Sequence, residues 1–471
     1  MKHPPNPITG SILIAMVSAI AALNTLSSSA IGLYPVIIVP GNGGNQLEGK
    51  LTKEYKTQSP FCRRWKEKEN GEGWFRLWFD PTVLFGPLTK CFAERMTLRY
   101  DPVLEDYRNA PGVLTRVRNF GSTESLLYLD PNLKSITSYM SPLVEALEDI
   151  GYIDGETLFG APYDWRYGLA AAGYPSQVGS KFLNDLKILI ENASKMNGGK
   201  PVILLSHSLG GLFSHQFLIR NSLSWREKYI KHFVALASPW GGTVQEMLTF
   251  ASGYTLDVPL VKPLLVRDEQ RSSESNLWLM PCPWLFGGKK TLVVTPNVNY
   301  SSNDILRFLQ DIGFPEGVKP YESRILPMVG NLTAPQVNVT CIVGSGVRTA
   351  ETLFYGEKGF DEQPEILYGD GDGTVNMASL MAAESWWGGE KNQSLKMIKL
   401  GGISHTSILK DEVAVGKVVD EILDINSPHL AVASIFQSHP KPEQLRYADC
   451  NILRPFSLTR RRLSIVIGSG V

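Results

Sequence analysis

Ser206-His207-Ser208-Leu209-Gly210 follows directly on the apolar run Pro201-Val-Ile-Leu-Leu205 and leads into Gly211 to Ile219, whose apolar residues recur at helical spacing. A strand that turns at once into a helix around a central serine is the pattern of a nucleophile elbow. The turn is so sharp that the residues two before and two after the serine must be small, and the serine is left strained and exposed at the sheet edge. Gly210 meets that demand, and Ser206 stands in for the first glycine. The pentapeptide alone also fits an ordinary loop. What favours the elbow is its setting: a β-branched and leucine run bounded by Gly198-Gly199 before it, and a helix face after it. Ser208 is therefore the candidate nucleophile.

A serine nucleophile at neutral pH needs a base, and the base needs a carboxylate to orient it. In α/β-hydrolases these residues occur in the chain order serine, acid, histidine. His215 and His232 lie too close behind Ser208 for that order, and His429 and His439 fall in an aperiodic tail. His405 remains, in the loop Gly401 to Ser407 between a strand at Lys396–Leu400 and a closing helix. A loop histidine taken alone is more often simply solvated. The acid is sought after the preceding strand, where Tyr368-Gly-Asp-Gly-Asp-Gly-Thr-Val375 offers Asp370 and Asp372. Glycines on either side let a carboxylate turn toward the imidazole. A calcium loop does not fit, because the further acidic residues and terminal glutamate of an EF-hand are missing. Asp372 is favoured because it stands immediately before the Gly-Thr-Val that begins the next element, while Asp370 competes on spacing. A tetrahedral oxyanion then needs two donors. One is the backbone N–H of Leu209; the other is expected from Asn42, in the loop Pro40-Gly-Asn-Gly-Gly44.

Elements of a particular kind must carry these residues. Tyr34 to Pro40 reads as a short buried strand running into glycines, as where ligand groups gather at strand ends in α/β proteins. A tight turn is the other reading of that loop, and a dinucleotide fingerprint is excluded because Gln46 stands where glycine is required. Tyr139 to Ile150 and Val178 to Asn192 read as amphipathic helices, and Phe233 to Ala237 as a strand. Cys341 to Gly344 and Ile366 to Tyr368 resume the strand pattern, and Asp411 to Ile425 reads as the closing helix. This alternation predicts an α/β fold around a mostly parallel sheet, built from residues 31–50, 101–242 and 337–425. Residues 51–100 mix charges with Trp65, Trp74, Phe75, Trp78, Phe79, Phe85 and Phe92, which suits either an interfacial surface or the core of a small subdomain. Residues 243–336 are proline-rich and less periodic, as in an inserted cap. Residues 426–471 read as a loose tail whose apolar end is too short for a lipid-anchor signal.

Lysine plus arginine equal aspartate plus glutamate at 46 each in the 471 residues, so no global field gathers nucleic acid or an anionic surface. Any membrane contact must be local and largely apolar. Residues 1–30 combine a weakly positive start, an apolar segment from Ser11 to Leu23 and small residues at Ser27 to Ala30, as in a secretory signal peptide. The expected location is the secretory pathway, with an extracellular, vacuolar or lumenal destination peripheral to membranes. Disulfides are possible there. Of the five cysteines, Cys62 and Cys91 would close a loop between folded segments, and Cys282, Cys341 and Cys450 are left unassigned. No spacing matches a zinc site, so neither metal nor cofactor is expected. Asn192, Asn299, Asn331, Asn338 and Asn392 head N-x-S/T triplets and are glycan candidates.

Taken together, the chain resembles the lecithin:cholesterol acyltransferase and lysosomal phospholipase A2 family, most closely its plant branch. The matching segments are Pro40 to Glu48, Leu129-Asp-Pro131, Gly160 to Arg166, Ser206 to Gly210, Ala237 to Gly242, Gln310 to Phe314 and Gly369 to Asn376. The resemblance implies an α/β-hydrolase fold with an inserted cap and a small membrane-binding subdomain. It implies Ser208 as nucleophile, Asp372 rather than Asp370 as acid and His405 as base, with Asn42 and Leu209 forming the oxyanion hole. It also implies a Cys62–Cys91 disulfide in the membrane-binding subdomain, with Trp78 in its apolar surface and Trp74 as a second lipid contact. For the family's second disulfide Cys341 matches one partner, but Ala382 to Trp387 contains no cysteine. The lysosomal members have aspartate at the first oxyanion position. Asparagine cannot titrate, so turnover above about pH 7 should not be lost through position 42.

The implied chemistry is acyl transfer from a glycerophospholipid, through an acyl-enzyme, to a lipid alcohol such as a sterol. A phospholipase A that passes the acyl group to water is the alternative, because the three catalytic residues do not distinguish acceptors. The implied partners are a phospholipid membrane surface and the lipid acceptor, and no protein partner is predictable. Another esterase or peptidase on the same fold would not be expected to carry the aromatic segment. A non-catalytic lipid-binding relative would more often have lost one of Ser208, Asp372 and His405.

Overall fold

Val36–Val39 and Val202–His207 are buried along their whole length, and Ile230–Leu236 along most of it. Continuous apolar strands of this kind belong to parallel sheets covered on both faces. In the computed structural model, which describes residues 32–57, 62, 73–81, 87–255, 261–330 and 332–426, they form the centre of a six-stranded sheet. We number its strands β1 (Val36–Val39), β2 (Leu158–Gly160), β3 (Val202–His207), β4 (Ile230–Leu236), β5 (Val339–Ser345) and β6 (Leu395–Gly401). Every pairing is parallel, and the spatial order is β6-β5-β4-β3-β1-β2. The six helices used below are α1 (Ser141–Asp149), α2 (Gln177–Met196), α3 (Leu209–Arg220), α4 (Val244–Ser252), α5 (Glu274–Trp278) and α6 (Glu412–Asn426).

Side chains alternate across each strand, and the core divides accordingly. Ile37, Val39, Val202, Leu204 and Phe233 point into a cluster with Phe182 and Leu186 of α2 and Leu212, Phe213 and Phe217 of α3. Val36, Ile38, Ile203, Leu205 and Val234 point the other way, onto Leu143 and Leu147 of α1 and Val418 and Ile422 of α6. Asn426 closes this second face: its Oδ1 accepts from Tyr34 N at 2.7 Å and its Nδ2 donates to Tyr152 Oη at 3.0 Å. Helices on both faces of a parallel sheet make this an α/β fold, as expected of an α/β-hydrolase. From the β2 edge the strand order reads 2-1-3-4-5-6, so the connections leave β1 and β3 in opposite directions. A crevice therefore opens at their carboxyl ends.

Two smaller sheets depart from the expected boundaries. Trp74–Trp78 pairs antiparallel with Leu47–Leu51, which pairs with Val113–Val117, so the aromatic segment shares a sheet with residues on either side of 51–100. Ile366–Tyr368 does not join the parallel sheet. Glu365–Gly369 instead runs antiparallel to Thr349–Phe354, which also pairs with Val293–Val294, inside the expected cap at 243–336. The reason is burial: Leu367 and Tyr368 are exposed, whereas a strand inside the main sheet needs apolar cover on both sides. The expected signal peptide at residues 1–30, Trp65, Phe85, Asn331, His429, His439, Cys450 and the residues beyond Asn426 lie outside the described residues.

Candidate active site

β3 ends at His207, and α3 begins at Leu209, leaving Ser208 alone to turn the chain. Its backbone sits at φ 55°, ψ −128°, a left-handed conformation that costs a non-glycine residue about 1–3 kcal/mol. The Ser208 amide donates to Leu236 O at 2.8 Å and its carbonyl accepts from Gly211 N at 2.9 Å. A Cβ on Gly210 would stand 2.4 Å from Pro40 O, so α3 passes too close to the end of β1 for any other residue. Ser206 is wholly buried, and its Oγ lies 3.6 Å from where a Cβ on Gly211 would be. That is ordinary contact; it is the Ser238 side chain, which a Cβ at 211 would strike, that requires the glycine.

His405, in the loop after β6, reaches back to this turn: its Nε2 lies 2.9 Å from Ser208 Oγ, and its Nδ1 2.7 Å from Asp372 Oδ2. The backbone reinforces the pair, because His405 N donates to Asp372 O at 2.7 Å. Asp372 is fully buried, and its Oδ1 accepts from Val375 N at 2.7 Å and Thr374 N at 3.0 Å. Burial pushes this carboxyl up, but the imidazole and the two amides outweigh burial and hold it below the usual carboxylate range. Asp372 is thus a buried anion fixed on the far side of the ring from the serine. An imidazole so placed has Nε2 free to take a proton from the hydroxyl.

Facing the serine is the loop after β1. Gly41 to Gly44 close a turn through Gly44 N to Gly41 O at 3.0 Å, with Gly43 at φ 67°. Three parts of the molecule hold this turn. Tyr139 Oη accepts from Gly41 N at 2.9 Å, Trp78 Nε1 donates to Gly43 O at 2.8 Å, and Asn42 Nδ2 donates to Asn276 Oδ1 at 2.9 Å. Asn276 lies on α5, anchored where Glu274 accepts from Gly168 N at 3.0 Å and from Arg324 Nε at 2.7 Å. A Cβ on Gly41 would stand 2.8 Å from Ser208 Cβ, and one on Gly44 would strike the Tyr139 ring at 2.7 Å. Close approach on both sides explains the glycines. Asn42 is exposed at the tip, and Leu209, as the first residue of α3, has an amide with no acceptor inside the helix.

This site, on a chain matched by the lecithin:cholesterol acyltransferase family over residues 74–321 and 322–412, can be placed. The chain belongs to the lecithin:cholesterol acyltransferase family. A lecithin-cholesterol acyltransferase-like 1 of Arabidopsis thaliana is 58% identical over 421 residues, covering 88% of this chain and 96% of that protein. The lysosomal phospholipase A and acyltransferase of Canis lupus familiaris is 37% identical, covering 80% and 88%. The phosphatidylcholine-sterol acyltransferase of Rattus norvegicus is 34% identical, covering 80% and 81%.

Other sequence candidates take varied positions in this member of the lecithin:cholesterol acyltransferase family. Asp370 is exposed, accepts from Gly346 N at 2.7 Å and lies 3.8 Å from Lys399 Nζ, turned to different partners than the imidazole. His215 stacks on Trp387 and bonds to Thr333 O, and His232 bonds to Thr340 Oγ1. Cys62 and Cys91 form a disulfide. Cys341 is a buried free thiol on β5. Trp74 is half-buried with the Arg116 guanidinium 4.3 Å from its ring centroid, and Trp78, also half-buried, packs edge-on to Trp165 at 5.2 Å. Asn192, Asn299, Asn338 and Asn392 are all exposed. Among the described residues no cluster of His, Cys, Asp or Glu is placed to hold a metal ion, and no helix is long and apolar enough to cross a membrane. Three residues at the site carried no sequence signal of their own: Tyr139, Asn276 and His207, the last of them inside the elbow pentapeptide.

Proposed function

We propose that this protein is a serine-dependent lipid O-acyltransferase that moves a fatty acyl group from a glycerophospholipid to a lipid alcohol such as a sterol. The observation that carries the reading is the continuous relay Ser208 Oγ, His405 imidazole, Asp372 carboxylate at 2.9 and 2.7 Å, standing at the crevice of the sheet. His405 Nε2 takes the Ser208 proton as Oγ attacks the ester carbonyl. The amides of Leu209 and Asn42 face the developing oxyanion, and each such donor is typically worth about 100- to 1000-fold in rate. Collapse breaks the bond to the glycerol oxygen, and His405 returns its proton to the departing lysolipid. An acceptor alcohol then gives its proton to His405, attacks the acyl-serine and leaves as the ester, with Ser208 reprotonated. Water at the second step gives free fatty acid instead. The scheme draws on no cofactor.

Trp74 and Trp78 are the proposed lipid contacts, supported by their position on the strand beside the oxyanion loop. Entry to the secretory pathway is part of the reading, supported by the Cys62–Cys91 disulfide and the four exposed glycan asparagines; an endoglycosidase mobility shift of the native protein checks it. The function is tested by incubating the purified protein with vesicles of phosphatidylcholine and sterol and resolving lysolipid, free fatty acid and steryl ester. Wild type should release lysolipid matched by the sum of the two acyl products, and Ser208→Ala should release none of the three. Turnover by Ser208→Ala near the wild-type rate sinks the assignment.

A further inference from the structure

His207, the residue before the nucleophile, is buried, and both its ring nitrogens are engaged. Its Nε2 lies 2.9 Å from the carbonyl oxygen of His405, and its Nδ1 lies 2.7 Å from Tyr139 Oη. Tyr139 Oη in turn accepts from the Gly41 amide at 2.9 Å. Chemistry fixes the direction of every bond in this series. A carbonyl oxygen can only accept, so His207 Nε2 carries the proton. Burial, with the neighbouring His405 second, pulls the His207 pKa down to about 3, so the ring stays neutral and Nδ1 keeps its lone pair. The Tyr139 hydroxyl must then donate to Nδ1, and burial pushes its own pKa up, which keeps that proton in place. Its oxygen is left to accept the Gly41 N–H. The chain therefore runs one way, from the oxyanion loop through Tyr139 and His207 to the backbone of the base.

We propose that Tyr139 and His207 are positioning residues whose directed hydrogen-bond chain sets the oxyanion loop, the serine turn and the histidine loop at fixed distances from one another. Each end of the chain meets a point that the reaction depends on. Gly41 precedes Asn42, whose amide is the proposed loop donor, so anchoring Gly41 fixes where that donor stands. His405 has its N–H on Asp372 O and its C=O on His207 Nε2, so its backbone is held from both sides and the ring cannot rock away from Ser208. Neither residue touches substrate in this account. Among the described residues each atom in it has a single partner of the needed type, so the chain of bonds has no internal redundancy.

This inference rests on the assignment of Ser208 and His405 given above, and its test separates the two. The full-length protein is assayed on a soluble short-chain p-nitrophenyl ester, which removes membrane binding from the readout, with active sites titrated by a fluorophosphonate. Tyr139→Phe and His207→Ala should each lower kcat roughly 10- to 100-fold with KM within about twofold, the pattern of mispositioned rather than missing groups. Because both break one chain, the double variant should lose no more than about threefold beyond the worse single. His207→Gln, which keeps a donor for the His405 carbonyl, should recover most of the loss. A Tyr139→Phe enzyme within about threefold of wild type in kcat, or losses that multiply in the double variant, overturns the proposal. Should His207→Ala fail to fold, Tyr139→Phe, which removes one oxygen, decides alone. If the fluorophosphonate does not label Ser208 in the wild type, the functional assignment itself has failed.

Discussion

Two aspartates separated by one glycine end in different electrical settings. Asp372 is buried against an imidazole and two amides, while Asp370 lies in solvent near Lys399. Spacing left them as competitors, because a turn of glycines gives no direction to either side chain. What separates them is the Thr374 and Val375 amides folding back onto Asp372, a contact that the order of residues does not encode. If Asp372 orients His405, Asp372→Asn should lower kcat on a soluble ester by on the order of 10⁴-fold through the wrong imidazole tautomer. Asp370→Asn should change it less than about threefold. The reverse ranking would remove Asp372 from the mechanism. Ser208 was legible because an elbow has local demands, small residues at fixed offsets between a strand and a helix. Tyr139, His207 and Asn276 were not, since their partners lie 98, 198 and 234 residues away.

At the scale of elements, strands and helices of the main sheet were largely legible from periodicity. The strand read at Phe233–Ala237 is Ile230–Leu236, and the helix read at Val178–Asn192 is Gln177–Met196. Glu365–Gly369 kept its strand character but joined another sheet, because periodicity reports exposure and not partner. The strand Trp74–Trp78 gives a testable division of labour. Trp78 props Gly43 through its indole N–H, whereas Trp74 touches no part of the oxyanion loop in the contacts described above. Trp78→Phe removes the indole N–H but keeps an aromatic ring for lipid contact, so it should lower kcat on a soluble ester several-fold, about the effect of one lost neutral hydrogen bond, with vesicle binding little changed. Trp74→Ala should weaken vesicle binding and leave that kcat intact. Stopped assays and vesicle sedimentation on both variants check this, and identical losses from the two would contradict it.

Helix α4 carries a stability prediction. Glu246 is buried, one of its carboxyl oxygens has no hydrogen-bond partner among the described residues, and burial pushes its pKa up to about 8 from 4.5. Between those two values the folded chain holds a proton that the unfolded chain has released. Its stabilising effect is thus fully present below about pH 4.5 and is lost as pH rises through the folded value. Glu246→Gln should remove that slope, raising stability near neutral pH by on the order of 3 kcal/mol and leaving it unchanged at about pH 4.5. Thermal unfolding of both proteins across this range is the check, and parallel curves would contradict it.

For the molecule as a whole, three segments far apart in sequence converge on one crevice because the strand order reverses between β1 and β3. The oxyanion loop follows β1, the serine follows β3, and the histidine follows β6, so all three emerge at the carboxyl edge of one sheet. The order of these segments was readable in the chain; their meeting was a consequence of topology. Trp78 and Asn276 extend the convergence, since the aromatic strand and α5 each hold the same glycine turn. Balanced charge gives the molecule no field to seek lipids, which leaves that contact to local apolar surface. The central claim is that an acyl group resides on Ser208 between donor and acceptor. Acid quenching shortly after mixing with phosphatidylcholine vesicles, followed by peptide mass mapping, measures this directly. A fatty acyl mass is expected on the peptide containing Ser208 and absent in Ser208→Ala; lysolipid release with no acyl mass on that peptide, or with acyl at another residue, would contradict this.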